Sequence, residues 1–181
     1  RAGLGLLEQA TRPGIRALKQ VAVIREVNCG TVGFQLAPRL NAAGRLEDAS
    51  RGVALLLETD SQQALQNARL LDSFNRERRE LEQQTFEQAL RLLEDLSAQR
   101  THSIVLAREN WHPGVIGIVA SRLVERYHRP TVLIALEEGA GKGSARSIRG
   151  CHLFRALQNC AGHLASFGGH EMAAGLSLGA A

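Results

Sequence analysis

The stretch that decides the fold runs from Ser103 to Leu136 and reads SIVLARENWHPGVIGIVASRLVERYHRPTVLIAL. Its opening, Ser103 to Ala107, is short, apolar and β-rich. From Val115 to Tyr127 the apolar residues Ile116, Val119, Leu123 and Val124 recur at helical spacing. Pro113 and Gly114 stand at the helix start and Pro130 just past its end, where each is tolerated. Thr131 to Leu136 (TVLIAL) is a second strand, apolar enough to be buried. A strand, a helix and a strand in such quick succession predict a small α/β domain.

Toward the C-terminus the same alternation continues. The Gly-rich stretch Gly139 to Gly143 predicts a loop, followed by a strand over Ser144 to Ile148, a helix from Leu153 to Ala161 and a final strand from Met172 to Leu178. Toward the N-terminus, Ser61 to Gln99 contains no Gly or Pro and is rich in Leu, Gln, Glu, Arg and Ala, with Ser61 as the expected N-cap. This predicts one helix of roughly 57 Å. Its apolar positions are Ala64, Ala68, Leu71 and Phe74 in one half and Leu81, Ala89, Leu92 and Leu96 in the other. The run Asn75 to Glu80 (NRERRE) between them has no apolar residue, so the helix is expected to bridge two bodies with a solvated middle. Before it, residues 1 to about 55 hold short helical patterns expected to break at Pro13, Gly30, Gly33, Pro38 and Gly44.

The 181 residues are 44% hydrophobic and 22% charged, enough apolar material for one ordinary core or two small ones. A net charge of +4 and a pI near 9.5 favour a phosphate-bearing or otherwise acidic partner. No apolar run is long enough to span a membrane and no signal peptide is recognisable, so a cytoplasmic protein with no membrane partner is expected. Arg1 opens inside an apolar pattern (Leu4, Leu6, Leu7) with no capping signal, so the sequence is expected to begin within a longer protein. Cys29, Cys151 and Cys160 are at unrelated spacings with no CxxC pair, and read as buried thiols.

Four segments carry the residue types of a phosphate site. In Phe167 to Gly175 (FGGHEMAAG), Gly168 and Gly169 permit positive φ and close approach of a ligand, and His170 can donate to a phosphate; the same segment also reads as a tight turn. In Gly141 to Arg149 (GKGSARSIR), strand alternation puts Ser144, Arg146 and Ile148 on one face, a hydroxyl beside a guanidinium fork suited to a terminal phosphate. The competing reading is an edge strand guarded by charge. In Pro38 to Leu46 (PRLNAAGRL), Arg39, Asn41 and Arg45 sit among small residues that would let a partner come close, or in a loop with solvated arginines. In Trp111 to Gly117 (WHPGVIG) a helix start attracts anions, while Trp111 also fits a core and His112 a cap.

Together, GFQLAPRLNAAGRL (33 to 46), WHPGVIGIVASRLVERY (111 to 127), KGSARS (142 to 147) and FGGHEMAAG (167 to 175) resemble, in order and spacing, the C-terminal part of the RecJ branch of the DHH phosphoesterase superfamily. GGHxxAAG alone marks the DHHA1 domain of several DHH subfamilies. The NAAGR and WHPGVIGIVASR stretches are closer to RecJ. The resemblance implies an α/β fold with a DHHA1 domain over residues 100–181, a connecting helix over 61–99, and over 1–60 the mostly helical C-terminal margin of a DHH domain that otherwise lies outside the chain.

The resemblance further implies a 5′ to 3′ single-stranded-DNA exonuclease of repair and recombination, hydrolysing phosphodiesters with Mg²⁺ or Mn²⁺. Ser144 and Arg146 match family positions that contact the DNA 5′ phosphate and Arg45 one that contacts the backbone, while His170, the catalytic candidate, lies near the scissile phosphate with Gly168 and Gly169. Arg39, Asn41 and His112 are further candidate substrate contacts. Single-stranded DNA is the implied partner, with repair and single-strand-binding proteins as further candidates. There are departures. No DHH tripeptide occurs, and Asp48, Asp60, Asp72 and Asp95 are the whole complement of Asp. Two-metal hydrolysis needs converging carboxylates, so no metal ligand is assigned in the chain, the metals are expected to be held mainly by residues outside it, and the fragment alone is expected to be inactive. The alternatives are a non-catalytic nucleic-acid clamp or scaffold, and a DHH-family oligonucleotide phosphodiesterase.

Overall fold

The computed structural model of the protein describes residues 2–96 and 102–179, and its chain divides into two units, Arg1–Glu80 and Leu81–Ala181. The first unit is helical: α1 (Ala2–Gln9), α2 (Pro13–Val21), α3 (Cys29–Thr31), α4 (Ala37–Leu46), α5 (Ser50–Leu57) and the first half of α6 (Ser61–Leu96). Asn28 starts α3 with a reciprocal cap, its Oδ1 accepting from Thr31 N while its own N donates to Thr31 Oγ1, both at 2.9 Å. The expected breaks at Gly30, Gly33, Pro38 and Gly44 do not occur, since all four lie in one continuous helical run from Cys29 to Leu46. Between α3 and α4 the helix widens over Val32–Leu36 into a π-helical segment, where Ala37 N donates to Val32 O. Pro38, which has no N–H to give, follows in the first turn of α4, the position a helix tolerates. Leu18, Leu36, Leu55, Ala64, Ala68 and Leu71 form the core of this unit, with Phe74 packed against it.

Helix α6 is unbroken from Ser61 to Leu96; positions 97–99 of the expected span lie outside the described residues. Its cap is Asp60 rather than Ser61: Asp60 Oδ1 accepts from Gln63 N at 2.7 Å. The middle is not solvated throughout, as its composition suggested. Asn75 is 1% and Arg78 8% exposed, and Arg78 Nη2 and Nε donate to Asn75 Oδ1 at 3.1 and 3.3 Å. The cause is position: the buried stripe Ala64, Ala68, Leu71 continues at the same spacing of three and four through Asn75 and Arg78, so polar residues that pair with each other occupy inward places.

The second unit adds to the latter half of α6 the elements β1 (Ile104–Glu109), α7 (Pro113–Tyr127), β2 (Thr131–Glu137), β3 (Ala140–Arg146), α8 (Leu153–Asn159), β4 (Ser166–Gly169) and β5 (Ala173–Leu178). The sheet order is β1-β2-β3-β5-β4. Strands β1 and β2 are parallel, as the crossover through α7 requires, and the other pairs are antiparallel. Phe86 and Ala89 of α6 pack with Ile116 and Leu123 of α7 and with Ile104 and Leu133 of the sheet. A second cluster joins Leu153 and Leu157 of α8 to Ala145, Ala174 and Leu176. Three expectations are corrected. The Gly-rich segment is part of β3, which ends before Ser147; β4 is a strand the pattern did not show; and α8 stops at Asn159. The cysteines are not buried thiols either, since Cys29 and Cys160 are exposed and Cys151 is half-buried. They sit in the first turn of α3, at the C-cap of α8 and in the turn before it, away from any core-facing stripe.

Candidate nucleic-acid interface

Strand β3 lies between β2 and β5, so it is not an edge strand, and the reading of its cations as an edge guard is excluded. Alternation puts Ala145 in the core and Lys142, Ser144 and Arg146 on the other face. Arg146 Nη1 donates to Ser144 Oγ at 2.9 Å and to Ala145 O at 2.8 Å, so hydroxyl and guanidinium are held side by side. Ile148, expected on this face, lies beyond the strand end. Ser147 is buried and closes the following turn, its Oγ donating to Cys151 O at 2.6 Å. The pair faces Gly117 of α7, at which an added Cβ would stand 2.8 Å from both Arg146 Nη2 and Ser144 Oγ.

Beyond β3 the same face has almost no side chains. The register aligns Ser144 with Gly175 and Gly168, and Lys142 with Ser177 and Ser166. Directly opposed residues point to one side of a sheet, so β5 and β4 present a shelf of glycine and serine, with the Ser166 and Ser177 hydroxyls 2.6 Å apart. Pro113, Ile116, Lys142, Ser144, Gly168 and Ser177 line a groove of about 550 Å³ along it. At the end of β4 only the second glycine is demanded by the backbone. Gly169 has φ +145° and its Cβ would meet Ala173 O at 2.4 Å, whereas Gly168 has open space. The turn is closed by His170, whose N donates to Ala173 O at 2.8 Å and whose Nδ1 accepts from Met172 N at 3.3 Å. The ring is exposed and Nε2 is the nitrogen a ligand can meet.

In the first unit the arginines of PRLNAAGRL differ from one another. Arg39 Nε meets Asp72 Oδ1 at 2.8 Å and its Nη1 donates to Gln35 O at 2.7 Å, which ties α4 to α6. Asn41 and Arg45 are exposed and border a second groove with Leu40, Gly44, Ala49 and Val53. Ala42 and Ala43, expected to let a partner come close, are fully buried and serve packing instead. In the second unit Trp111 is buried with Nε1 donating to Gln88 Oε1 at 2.8 Å, and His112 Nδ1 accepts from Gly114 N at 3.0 Å, capping α7. Core and cap are thus the observed parts of this motif.

Residues 100–180 match the DHHA1 domain family. Along 97% of its length the chain is 45% identical to the single-stranded-DNA-specific exonuclease RecJ of Bacillus subtilis (strain 168), of which it covers 23%. Crystal structures of RecJ from Thermus thermophilus in complex with Mg²⁺ and with Mn²⁺ align with 98% of the chain at TM-score 0.85, with 33% and 34% identity over 27% and 26% of the solved chains. Nearly the whole chain is thus similar to one segment of RecJ. It spans about a quarter of the length of the relatives it matches here.

Against those metal-bound RecJ structures the donor set of this segment is informative. Among its described residues no group of three or more His, Cys, Asp or Glu stands where it could hold a metal ion. No described helix is long and apolar enough to cross a membrane. Reading the RecJ-type motifs by sequence missed Gly117, Lys142, Ser166 and Ser177. Lys142 and Gly117 lie inside quoted motifs, and alternation from Ser144 already reaches Lys142. Ser166 and Ser177 carry no local signal, because only strand pairing brings them into the row.

Proposed function

We propose that this RecJ-like segment supplies substrate-binding surface to a 5′ to 3′ single-stranded-DNA exonuclease of DNA repair and recombination, a cytoplasmic enzyme whose divalent metals are held mainly by residues outside the chain. In this reading residues 100–181 are the DHHA1 domain, 61–99 the connector and 1–60 the margin of a DHH domain. The curated relative is named for single-stranded DNA, and the solved relatives hold Mg²⁺ or Mn²⁺. The observation that carries the reading is the Arg146 guanidinium fixed against the Ser144 hydroxyl beside a sheet face stripped to glycine and serine. A guanidinium fork and a hydroxyl together match the several free oxygens of a terminal phosphate, and a bare sheet admits the strand behind it.

The remaining roles follow the chemistry of each side chain. Gly168 and Gly169 let the backbone near the strand, and the exposed His170 imidazole lies next to them, within reach of a phosphate to be cut. Arg45 and Asn41 contact the DNA backbone from the first unit, where charge and amide are exposed. Arg39 and His112, the remaining candidate contacts, are already engaged by Asp72 and by the α7 cap and support the surface around the strand. Repair and single-strand-binding proteins are the expected partners.

The test is binding of 5′-phosphorylated and 5′-hydroxyl oligonucleotides by the full-length protein across a salt series. Arg146→Ala should weaken the phosphorylated strand more than the hydroxyl strand and lower the salt slope by roughly 0.7 for each phosphate no longer neutralised. Equal losses for both strands would leave a general backbone contact and remove end recognition. Separately, the 181-residue chain incubated with single-stranded DNA and Mn²⁺ should release no nucleotides; nuclease activity that co-purifies with it and follows its own active-site substitutions would refute the division into binding and cutting parts.

A further inference from the structure

We infer that Gly117 is a specificity-determining positioning residue: by carrying no side chain it sets where the Ser144–Arg146 pair stands, and with it the discrimination between a terminal phosphate and a terminal hydroxyl. The inference rests on the phosphate reading of that pair. Gly117 is buried in the second turn of the 15-residue helix α7, where alanine is the better helix former, so a glycine there requires a packing or functional reason. The geometry supplies one. A Cβ at this position would stand 2.8 Å from Arg146 Nη2, 2.8 Å from Ser144 Oγ and 3.5 Å from Arg146 Cζ.

The identity of the obstructing atoms decides what kind of constraint this is. At Gly169 the added Cβ would strike backbone, Ala173 O at 2.4 Å and Ala174 Cα at 2.5 Å, so that glycine protects the fold. At Gly117 the nearest atoms are the far end of a flexible arginine and a rotatable hydroxyl. A methyl group there is accommodated by displacing those two groups, and the sheet behind them need not move. Charge-assisted hydrogen bonds are directional and short, so a displaced fork loses a phosphate oxygen while the protein stays folded. Gly117 therefore protects the recognition pair, and Trp111, His112 and Pro113 earlier in the same motif provide the core plug, cap and first turn that hold the helix in register.

The experiment uses the full-length protein, 3′-labelled single-stranded oligonucleotides ending in a 5′ phosphate or a 5′ hydroxyl, and the ratio of the two dissociation constants. Gly117→Ala should reduce the preference for the phosphorylated strand about tenfold, the worth of one charge-assisted hydrogen bond, with the hydroxyl strand changed less than about twofold. The thermal midpoint should not fall. In an Arg146→Ala background the same substitution should have no further effect on the ratio, which a merely structural role would not produce. If Arg146→Ala abolishes the preference and Gly117→Ala leaves it intact, the role of Gly117 is refuted and the phosphate reading of the pair survives. If neither changes it, the pair itself is misread. A lowered midpoint with equal weakening of both strands would make Gly117 a packing residue and overturn the inference.

Discussion

Arg39 and Arg146 are both partly buried, and each donates to a nearby backbone carbonyl, yet their second partners differ in charge. Arg39 is bound by the Asp72 carboxylate at 2.8 Å, with Arg76 sharing that carboxylate at 3.4 Å. Arg146 is bound by the Ser144 hydroxyl at 2.9 Å. An ion pair uses the guanidinium charge to join two helices, whereas a hydroxyl and a carbonyl orient the fork without those bonds cancelling its charge. Their surroundings agree. Next to Arg39 its neighbours Ala42 and Ala43 are packed inward, while next to Arg146 the sheet is left open by Gly168 and Gly175. The type of residue is therefore a poor guide to its task, and the partner is a better one.

The comparison breaks most directly if the partners are exchanged. Ser144→Asp gives Arg146 the kind of partner Arg39 has and places a carboxylate where a phosphate would sit. Binding of 5′-phosphorylated strands by the full-length protein should fall by roughly 100-fold, about 3 kcal/mol, as read by fluorescence anisotropy; retained affinity would mean the pair does not meet the phosphate. The converse change, Asp72→Ser, should destabilise the fold by about 1–3 kcal/mol because a partly buried arginine loses its carboxylate, measured by urea denaturation. The preference for a 5′ phosphate should not change, and if it does, the separation of structural from recognition arginines is wrong.

Lys142 sharpens the contrast on a finer scale. It is exposed, two residues from Ser144 on the same face, about 7 Å along the strand. Lys142→Ala should lower the salt slope by roughly 0.7, consistent with one internal phosphate contact, and by the same amount for phosphorylated and hydroxyl strands. A larger effect on one of them would place Lys142 in the end pocket. The smallest effect concerns Asp48, a carboxylate held by neutral donors: Ser50 Oγ donates to Oδ2 at 2.6 Å and Ser50 N to Oδ1 at 2.9 Å. These bonds, the hydroxyl first, lower the Asp48 pKa below its ordinary value, with Arg51 adding a minor push in the same direction. A depressed folded value means the contribution is present above the ordinary carboxylate pKa and is lost as pH falls through the folded one. Ser50→Ala should move the Asp48 titration, followed by carboxyl NMR, back up toward the ordinary carboxylate range; an unmoved titration would assign the shift to something other than the hydroxyl.

The parts of the fold that could be read from the sequence are those in which local pattern and burial coincide. Strands β1 and β2 and helix α7 have apolar periodicity bounded by Pro113 and Pro130, and α6 has an unbroken run of helix formers. Strand β4 is four residues, SFGG, with one apolar side chain, because half its surface is the bare glycine and serine shelf, and so it leaves no hydrophobic signature. The start of β3 was hidden for a related reason. Gly141 and Gly143 look like a loop, but both lie on the Ala145 face of β3, where a Cβ would meet Ile134, Leu136 and Leu178 at Gly141 and Leu176 at Gly143, so larger residues would not fit. Asn75 and Arg78 were misread because composition was weighed above position on the stripe, and the π-helical segment before Pro38 has no local sequence rule that announces it.

The site divides along the same line. That Ser144 and Arg146 share a face follows from the period of a strand, and the requirement for glycine at 169 is suggested by the turn chemistry of FGGH, since both are consequences of local backbone geometry. Which strands flank β3, which hydroxyls stand in the Lys142 row, that Asp72 takes Arg39, and that Gly117 faces Arg146 depend on tertiary pairings, such as Lys142 with Ser177 and Arg39 with Asp72, that no local pattern announces. Those pairings are selected by the burial of Leu133, Ala145, Ala174 and Leu176 on either side of the sheet and of Leu55 and Leu71 between helices. Hydrophobic burial is non-directional, so the choice of polar neighbours is made only when the whole core closes around them.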